Sequence, residues 1–248
     1  GYLTKKMTEI AANEKIDLFL CEGTRLGETA EQSEQKVQQD SSKVIKNTNG
    51  LVLADYGFKD ITRFQTFYEI AKQTKRKLVI GLKDAHLLKQ LSQTIEGLPS
   101  IKDEQIEIHQ RKMLTTPKAL RLLLEQDNVV TSEEINKKQN EKIVRLGFFE
   151  LTELIDLQPK TGSQYIHSSC EPFNEEMEIS KDRRQNWVNY FHLNEHQIHC
   201  SGHAPKQDIK AIIEAVKPKK LTPIHTVLAK EFEKIAPKET KIIYAIKT

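Results

Sequence analysis

Several signals that would assign a function directly are missing from this sequence. Its three cysteines, Cys21, Cys170 and Cys200, form no C-x-x-C pair, which argues against a zinc finger and a disulfide framework. G-x-G-x-x-G, Walker A and H-E-x-x-H sequences are absent, so dinucleotide, P-loop and helix-borne zinc sites have no support. No apolar run could span a membrane, and no signal peptide is visible. We therefore expect a soluble protein of a reducing cytoplasm, with no membrane partner.

An excess of charge of one sign is also missing. The formal net charge of +3 is too small to indicate nucleic-acid binding by itself. Basic residues cluster at 75–77, 183–184 and 217–220, but solvated helix ends explain any one of these clusters. At 248 residues the chain can form one large or two small domains. No Pro/Gly/Ser-rich linker separates them, so a second domain is packed in or inserted.

Apolar segments of strand and helix type alternate along almost the whole chain. Predicted strands cover 16–21, 51–56, 77–82, 142–148, 164–167, 197–200, 221–224 and 241–246, and predicted helices lie between most of them. Alternation of this kind predicts an α/β fold with a mostly parallel sheet and right-handed crossovers.

The segment 199–226 is the most informative part of the sequence. Its central region places Ile209, Ile213 and Val216 at helical spacing, between a predicted turn at Ser201-Gly202 and a short strand that ends before His225. We expect Gly202 to allow backbone angles that other residues avoid. His203 and His225 then lie just past two consecutive predicted strands, at the edge of an α/β sheet where ligands usually bind.

Glu22 has the same position as these two histidines, since it follows the predicted strand 16–21. One carboxylate and two imidazoles at a common edge could bind a metal or carry out acid–base catalysis. A turn residue and two hydrogen-bonded polar groups are the simpler interpretation of each residue alone. A metal-binding stripe of His192, His196, His199 and His203 is rejected, because Gly202 and Pro205 interrupt the helix that it needs. We expect His192 and His196 to be surface loop residues.

Three short motifs resemble those of a known group of enzymes. CEGTRLG at 21–27, SGHA at 201–204 and PIHT at 223–226 are similar, in the same order, to motifs of the metallo-β-lactamase-fold nucleases of the β-CASP group. That group includes RNase J-like and cleavage-factor-like RNA-processing enzymes. The resemblance implies the second half of an αββα metallo-β-lactamase domain, at 1–27 and 196–248. It also implies an inserted, doubly wound β-CASP domain with a parallel sheet at 28–195.

The resemblance further implies roles for individual residues. Glu22 would orient His203, which would act as general acid on the leaving oxygen, and His225 would bind zinc. Zinc would lower the pKa of bound water to about 7 and so provide hydroxide for attack on phosphorus. A phosphate of RNA would be held by backbone N–H groups of Ser201 and Gly202 and by the hydroxyls of Ser168 and Ser169.

The sequence departs from the family at the zinc ligands. The family binds two zinc ions mainly through H-x-H-x-D-H, a further His and a bridging Asp, and H-x-H-x-D-H is absent here. His225 alone cannot hold a catalytic zinc, so we expect the chain by itself to be inactive. We expect it to need a chain with the missing ligands, or self-association through an exposed apolar face near 16–21, 221–224 and 242–246. The alternatives are a non-catalytic RNA-binding or scaffold subunit and a nucleotide-binding α/β module. The missing glycine-rich loop argues against the latter.

Overall fold

The computed structural model describes residues 2–27, 32–112 and 115–244. The chain divides into two compact units. The small unit contains Gly1–Glu31 and Ser201–Thr248, and the large unit contains Gln32–Cys200. Among the described residues, no helix is long and apolar enough to cross a membrane.

Helices and strands alternate along the described chain. The α-helices are α1 Tyr2–Asn13, α2 Glu34–Lys46, α3 Ile61–Thr74, α4 Leu82–Leu91, α5 Lys118–Arg121, α6 Ser132–Lys137, α7 Leu154–Leu157, α8 Glu175–Tyr190, α9 Lys206–Val216 and α10 Phe232–Ile235. Short 3-10 helices cover Leu122–Glu125, Gln139–Glu141, Phe148–Glu153 and Ala229–Glu231. The strands are β1 Leu18–Glu22, β2 Val52–Asp55, β3 Lys77–Gly81, β4 Ile106–Gln110, β5 Val129–Thr131, β6 Lys142–Arg145, β7 Gln164–His167, β8 Asn194–Gln197, β9 Lys220–Ile224 and β10 Lys241–Ile242.

The small unit is built on a parallel sheet in the order β1-β9-β10. Successive side chains of a strand point to opposite faces, and here one face packs against helices. Cys21 and Leu221 on that face join a core with residues of α9 and α10, among them Ile209, Ile213 and Phe232.

The other face of this sheet is open. Leu18 and Leu20 on β1 are 51% and 56% exposed, which confirms the predicted exposed apolar face for this strand. Leu221 is fully buried, because it points toward the helices. Residues 245–246 of the predicted last strand lie outside the described residues.

The large unit is a doubly wound α/β structure. Its parallel strands follow the order β5-β4-β3-β6-β2-β7-β8, and one apolar cluster covers each face. Residues of α2, α3 and α4 form the first cluster with alternate strand residues, and residues of α6, α7 and α8 form the second. Strands buried on both faces need continuous apolar runs, and residues 51–54 are fully buried. The predicted α/β class with parallel sheets is therefore confirmed.

Two elements near the end of the large unit differ from the prediction. The strand predicted at 197–200 lies at Asn194–Gln197, where it pairs with β7 from Gln164 onward. His196 is therefore a strand residue, with Nε2 2.7 Å from Gln164 Oε1, and the expectation of a surface loop residue is wrong. Helix α8 begins at Glu175, well before the predicted start at 182, because the Asn174 side chain caps it by accepting from Met177 N at 2.9 Å.

Candidate functional site

Glu22 ends β1 at the carboxyl edge of the small sheet. It is in parallel register with Ile224, so β1 and β9 deliver the residues that follow them to the same edge. The Gly23 amide then donates to the Ile224 carbonyl at 3.1 Å. A Cβ atom on Gly23 would lie 2.7 Å from the Phe232 ring. Glycine is therefore required for the close packing of this turn.

The carboxylate of Glu22 faces the imidazole of His203. Glu22 Oε2 lies 3.4 Å from His203 Nδ1, and it accepts from the Thr24 amide at 2.9 Å. Glu22 Oε1 accepts from the Ala204 amide at 3.3 Å. Burial raises the pKa of Glu22, but hydrogen bonds from Thr24 and the neighbouring His203 outweigh burial and hold the pKa of the carboxyl below its usual value.

An ionised carboxylate opposite Nδ1 favours the proton on that nitrogen and leaves Nε2 for a substrate. The expectation that Glu22 and His203 meet in space is confirmed. Their roles in catalysis stay a prediction.

His225 follows β9 with an unusual backbone. Its φ is 49°, a left-handed value that costs a non-glycine residue on the order of 1–3 kcal/mol. Its carbonyl accepts from Thr24 Oγ1 at 3.3 Å, which ties it to the turn after Glu22. Its side chain is exposed. Glu22 and His225 therefore lie at one edge of the sheet, where the backbone strain also lies, and His203 reaches Glu22 from the loop before α9.

Arg25 is a part of this site that the sequence analysis missed. It is 2% exposed, and its Nη1 donates to the His203 carbonyl at 3.1 Å. Its backbone also forms an isolated parallel bridge with Pro205. Arg25 thus joins the turn after Glu22 to the loop that carries His203. A single arginine in a polar turn has no periodicity that could have indicated this contact.

The loop before His203 is held by a serine side chain. Ser201 Oγ accepts from the His203 amide at 3.2 Å, a local serine turn. Gly202 is exposed, and a Cβ atom there would meet nothing. The described glycines with positive φ are Gly97 and Gly162. The expectation that Gly202 supplies a backbone angle closed to other residues is therefore wrong.

Ser168 and Ser169 follow β7 in the large unit. Ser168 is 2% exposed, and its hydroxyl donates to the Ile198 carbonyl at 2.6 Å and accepts from Arg63. This hydroxyl is fully engaged within the protein, so the geometry gives no support to its predicted contact with phosphate. Ser169 is partly exposed, and its carbonyl accepts from Gln197 Nε2 at 2.8 Å.

The buried Arg63 links Glu34, the first residue of α2, to Ser168 after the end of β7. It is 1% exposed, and it donates through Nε to Glu34 Oε1 at 2.8 Å and through Nη1 to the Ser168 carbonyl at 2.7 Å. Glu34 Oε2 also accepts from Cys200 Sγ at 3.3 Å. Burial raises the pKa of Glu34, but hydrogen bonds from Arg63 and Thr66 outweigh burial. The pKa of this carboxyl is therefore held below its usual value, and the carboxyl stays ionised. The sequence analysis gave Arg63 and Glu34 no role.

The side chains do not fit a zinc site on their own. Within residues 2–27, 32–112 and 115–244, no group of three or more His, Cys, Asp or Glu side chains could hold a metal ion. A catalytic zinc needs about three protein ligands. Glu22 and His203 therefore meet without a zinc ligand set among the described residues, and no chemical step is assigned to a metal.

Comparisons with known proteins agree with the sequence motifs. Residues 193–239 match the RMMBL family, described as the Zn-dependent metallo-hydrolase RNA specificity domain. The chain is 27% identical over 220 residues to Ribonuclease J of Mycoplasma pneumoniae. That alignment covers 86% of this chain and 36% of the relative, so the chain spans about a third of the curated protein that it matches.

A solved structure shares the fold. The chain superimposes with a TM-score of 0.71 on a protein of unknown function from Enterococcus faecalis V583, at 19% identity, covering 98% of this chain and 52% of the other. The α/β structure with parallel sheets is consistent with a metallo-β-lactamase fold that contains RMMBL and β-CASP parts. The RMMBL match and the Ribonuclease J relative together support the place of this chain in the RNase J-like β-CASP family.

Proposed function

We propose that this chain is part of a zinc-dependent ribonuclease of the β-CASP group, which acts in RNA processing or decay by hydrolysing phosphodiester bonds. The main support is the 3.4 Å approach of Glu22 Oε2 to His203 Nδ1 at the carboxyl edge of β1 and β9. The match of residues 193–239 to an RNA specificity domain adds the substrate class. A cytoplasmic location belongs to this proposal, since all three cysteines are free thiols.

In this proposal His203 is the general acid and Glu22 its positioning partner. Protonated His203 donates its Nε2 proton to the leaving oxygen as the P–O bond breaks, and the Glu22 carboxylate stabilises the imidazolium until then. The exposed Gly202 backbone, Ser201 and Ser169 remain the proposed RNA contacts. His225 would provide one zinc ligand, and a partner chain would have to supply the further ligands, because the described residues contain no group that could hold the metal.

The central test measures cleavage and binding separately. The purified chain with Zn²⁺ is expected to bind single-stranded RNA and leave it intact. Added to a chain that carries H-x-H-x-D-H, it should restore cleavage. His203→Ala and Glu22→Gln should then lower the cleavage rate by about 10²–10⁴-fold with RNA affinity unchanged. His192→Ala, an exposed histidine, is the matched control.

Robust cleavage by the purified chain alone would contradict the need for outside ligands. A non-catalytic RNA-binding subunit is the second candidate, and the absence of a metal-binding cluster within the described residues favours it. It predicts that the Glu22 and His203 variants change nothing measurable in any mixture. Equal cleavage rates for all variants would therefore contradict the proposed ribonuclease and favour the non-catalytic RNA-binding subunit.

A further inference from the structure

The large unit contains a crevice at the carboxyl ends of β3 and β6. β3 and β6 are neighbours in the sheet. The strand that follows β3 in the chain, β4, lies on one side of this pair, and the strand that follows β6, β7, lies on the other side. In open α/β sheets, ligands bind where the strand order reverses in this way. A cavity of about 200 Å³ lies at this position, with a lining that includes Leu82, Asp84, His109, Arg111, Phe149 and Glu150. None of these residues belongs to the Glu22 site.

An ion-pair network forms the polar wall of this cavity. Arg145 Nη1 lies 2.6 Å from Glu150 Oε2 and 3.6 Å from Asp84 Oδ2, and Arg111 Nη2 lies 3.1 Å from Glu150 Oε1. Gly81 makes room for it, since a Cβ atom there would lie 3.1 Å from Arg111 Nη2. The network therefore holds Asp84 and Arg111 in fixed positions beside the cavity.

Two polar atoms of this network have no hydrogen-bond partner among the described residues. Asp84 is 8% exposed, and its Oδ1 accepts no hydrogen bond. Arg111 Nε donates none, and Glu153 Oε1 lies 4.0 Å from it, beyond hydrogen-bond distance. A buried polar group without a partner destabilises the fold, so a ligand that supplies the partner would bind favourably. The side chains that carry this acceptor and this donor both line the cavity, and together they are complementary to a ligand edge that has both an N–H and an acceptor.

The rest of the cavity is apolar and has an aromatic ring at its mouth. Leu82, Pro117 and Leu120 line it, and Phe149 is 94% exposed. Lys83 also lines the cavity and is exposed, and within the described residues it forms no ion pair. An exposed phenyl ring offers a stacking surface for a flat heteroaromatic group, and a free ammonium group attracts a phosphate.

We propose that this cavity binds the purine base of a nucleotide. The base stacks on Phe149, its polar edge faces Asp84 and Arg111, and its phosphate lies outside near Lys83. The cavity volume is below the roughly 300–1,000 Å³ of sites for larger ligands, which favours entry of the base alone. Free nucleotides and unpaired bases of RNA share this chemistry. The site does not depend on the proposed ribonuclease activity.

Isothermal titration calorimetry on the full chain tests this site. The ligands are AMP, GMP and UMP, a hexamer of uridines, and the same hexamer with one central purine. We expect a purine to bind more tightly than the matched pyrimidine, in the mononucleotides or in the RNA. Binding of mononucleotides identifies a free nucleotide as the ligand, and a preference seen only in the hexamers identifies a base of RNA.

Variants locate the binding. Phe149→Ala should weaken purine binding by roughly tenfold, the effect of losing one stacked base. Phe173→Ala, a control at another exposed phenylalanine, should leave it unchanged. Arg111→Gln should also weaken it, with folding checked by circular dichroism. Equal purine and pyrimidine binding, or equal affinity of the two phenylalanine variants, would overturn the proposal. Loss of purine binding in His203→Ala would assign it to the Glu22 site and overturn it as well.

Discussion

At the scale of single residues, His109 has the clearest dependence on pH. It is 2% exposed, and its Nε2 lies 2.9 Å from Ser132 Oγ. Burial, together with the positive charge of Arg111, lowers the pKa of His109 from 6.5 to about 4. Between these two values the unfolded chain binds more protons than the folded chain. The folded state is therefore favoured above about pH 6.5 and loses stability as the pH falls toward 4.

His109→Gln is expected to remove this part of the pH dependence. At 1.36 kcal/mol per pKa unit, the wild type should lose on the order of 3 kcal/mol between pH 7 and pH 4 through His109. Urea denaturation at pH 7, 5.5 and 4.5 measures the loss. His86→Gln, at a half-buried histidine, should keep the wild-type slope. An unchanged slope in His109→Gln would show that other groups set the acid sensitivity.

At the scale of helices, several described C-caps adopt left-handed backbone without glycine. Lys75 ends α3 with a φ of 56°, and Lys217 ends α9 with a φ of 45°. Glycine is favoured at such positions because it has no Cβ to clash with the neighbouring carbonyl.

Lys75→Gly should therefore raise the free energy of unfolding by about 0.5–1 kcal/mol. Lys72→Gly, in the last turn of the same helix, should lower it by about 1 kcal/mol. Thermal unfolding of both variants gives the comparison. If both changes destabilise the protein equally, the backbone angle at Lys75 costs nothing.

At the scale of the whole molecule, the open face of the small sheet predicts association. Leu18 and Leu20 lie two residues apart on the same face of β1, and each is more than half exposed. Covering apolar surface contributes roughly 25 cal/mol per Å², so a second copy or a partner chain gains by packing there.

We expect the wild type to self-associate with rising concentration in sedimentation velocity. The double variant Leu18→Ser, Leu20→Ser should remain monomeric over the same range. Leu122→Ser, at a 63% exposed leucine of the large unit, serves as the control and should behave as the wild type. A wild type that stays monomeric at every concentration contradicts self-association through this face.

The local pattern of the sequence was sufficient for the fold class and for the common edge of Glu22 and His225. Alternating apolar segments predict parallel strands with crossover helices, because periodicity is a property of neighbouring residues. Glu22 and His225 could be brought to one edge in advance, because parallel strands end at the same edge of a sheet and β1 pairs with β9. His203 follows β8 of the seven-stranded sheet, so its contact with Glu22 comes from the loop before α9, and the expectation that its strand shares this edge is wrong.

Contacts between distant segments decided the rest. Ser168 follows a strand as predicted, but its hydroxyl accepts a hydrogen bond from the buried Arg63, 105 residues away in the sequence. The cavity at β3 and β6 exists only because β6 inserts between β2 and β3. Hydrophobic periodicity indicates which face of a helix or strand is buried. It does not indicate which other helices or strands pack against that face. Pairings across a hundred residues depend on packing of the complete chain, so only the tertiary structure determined them.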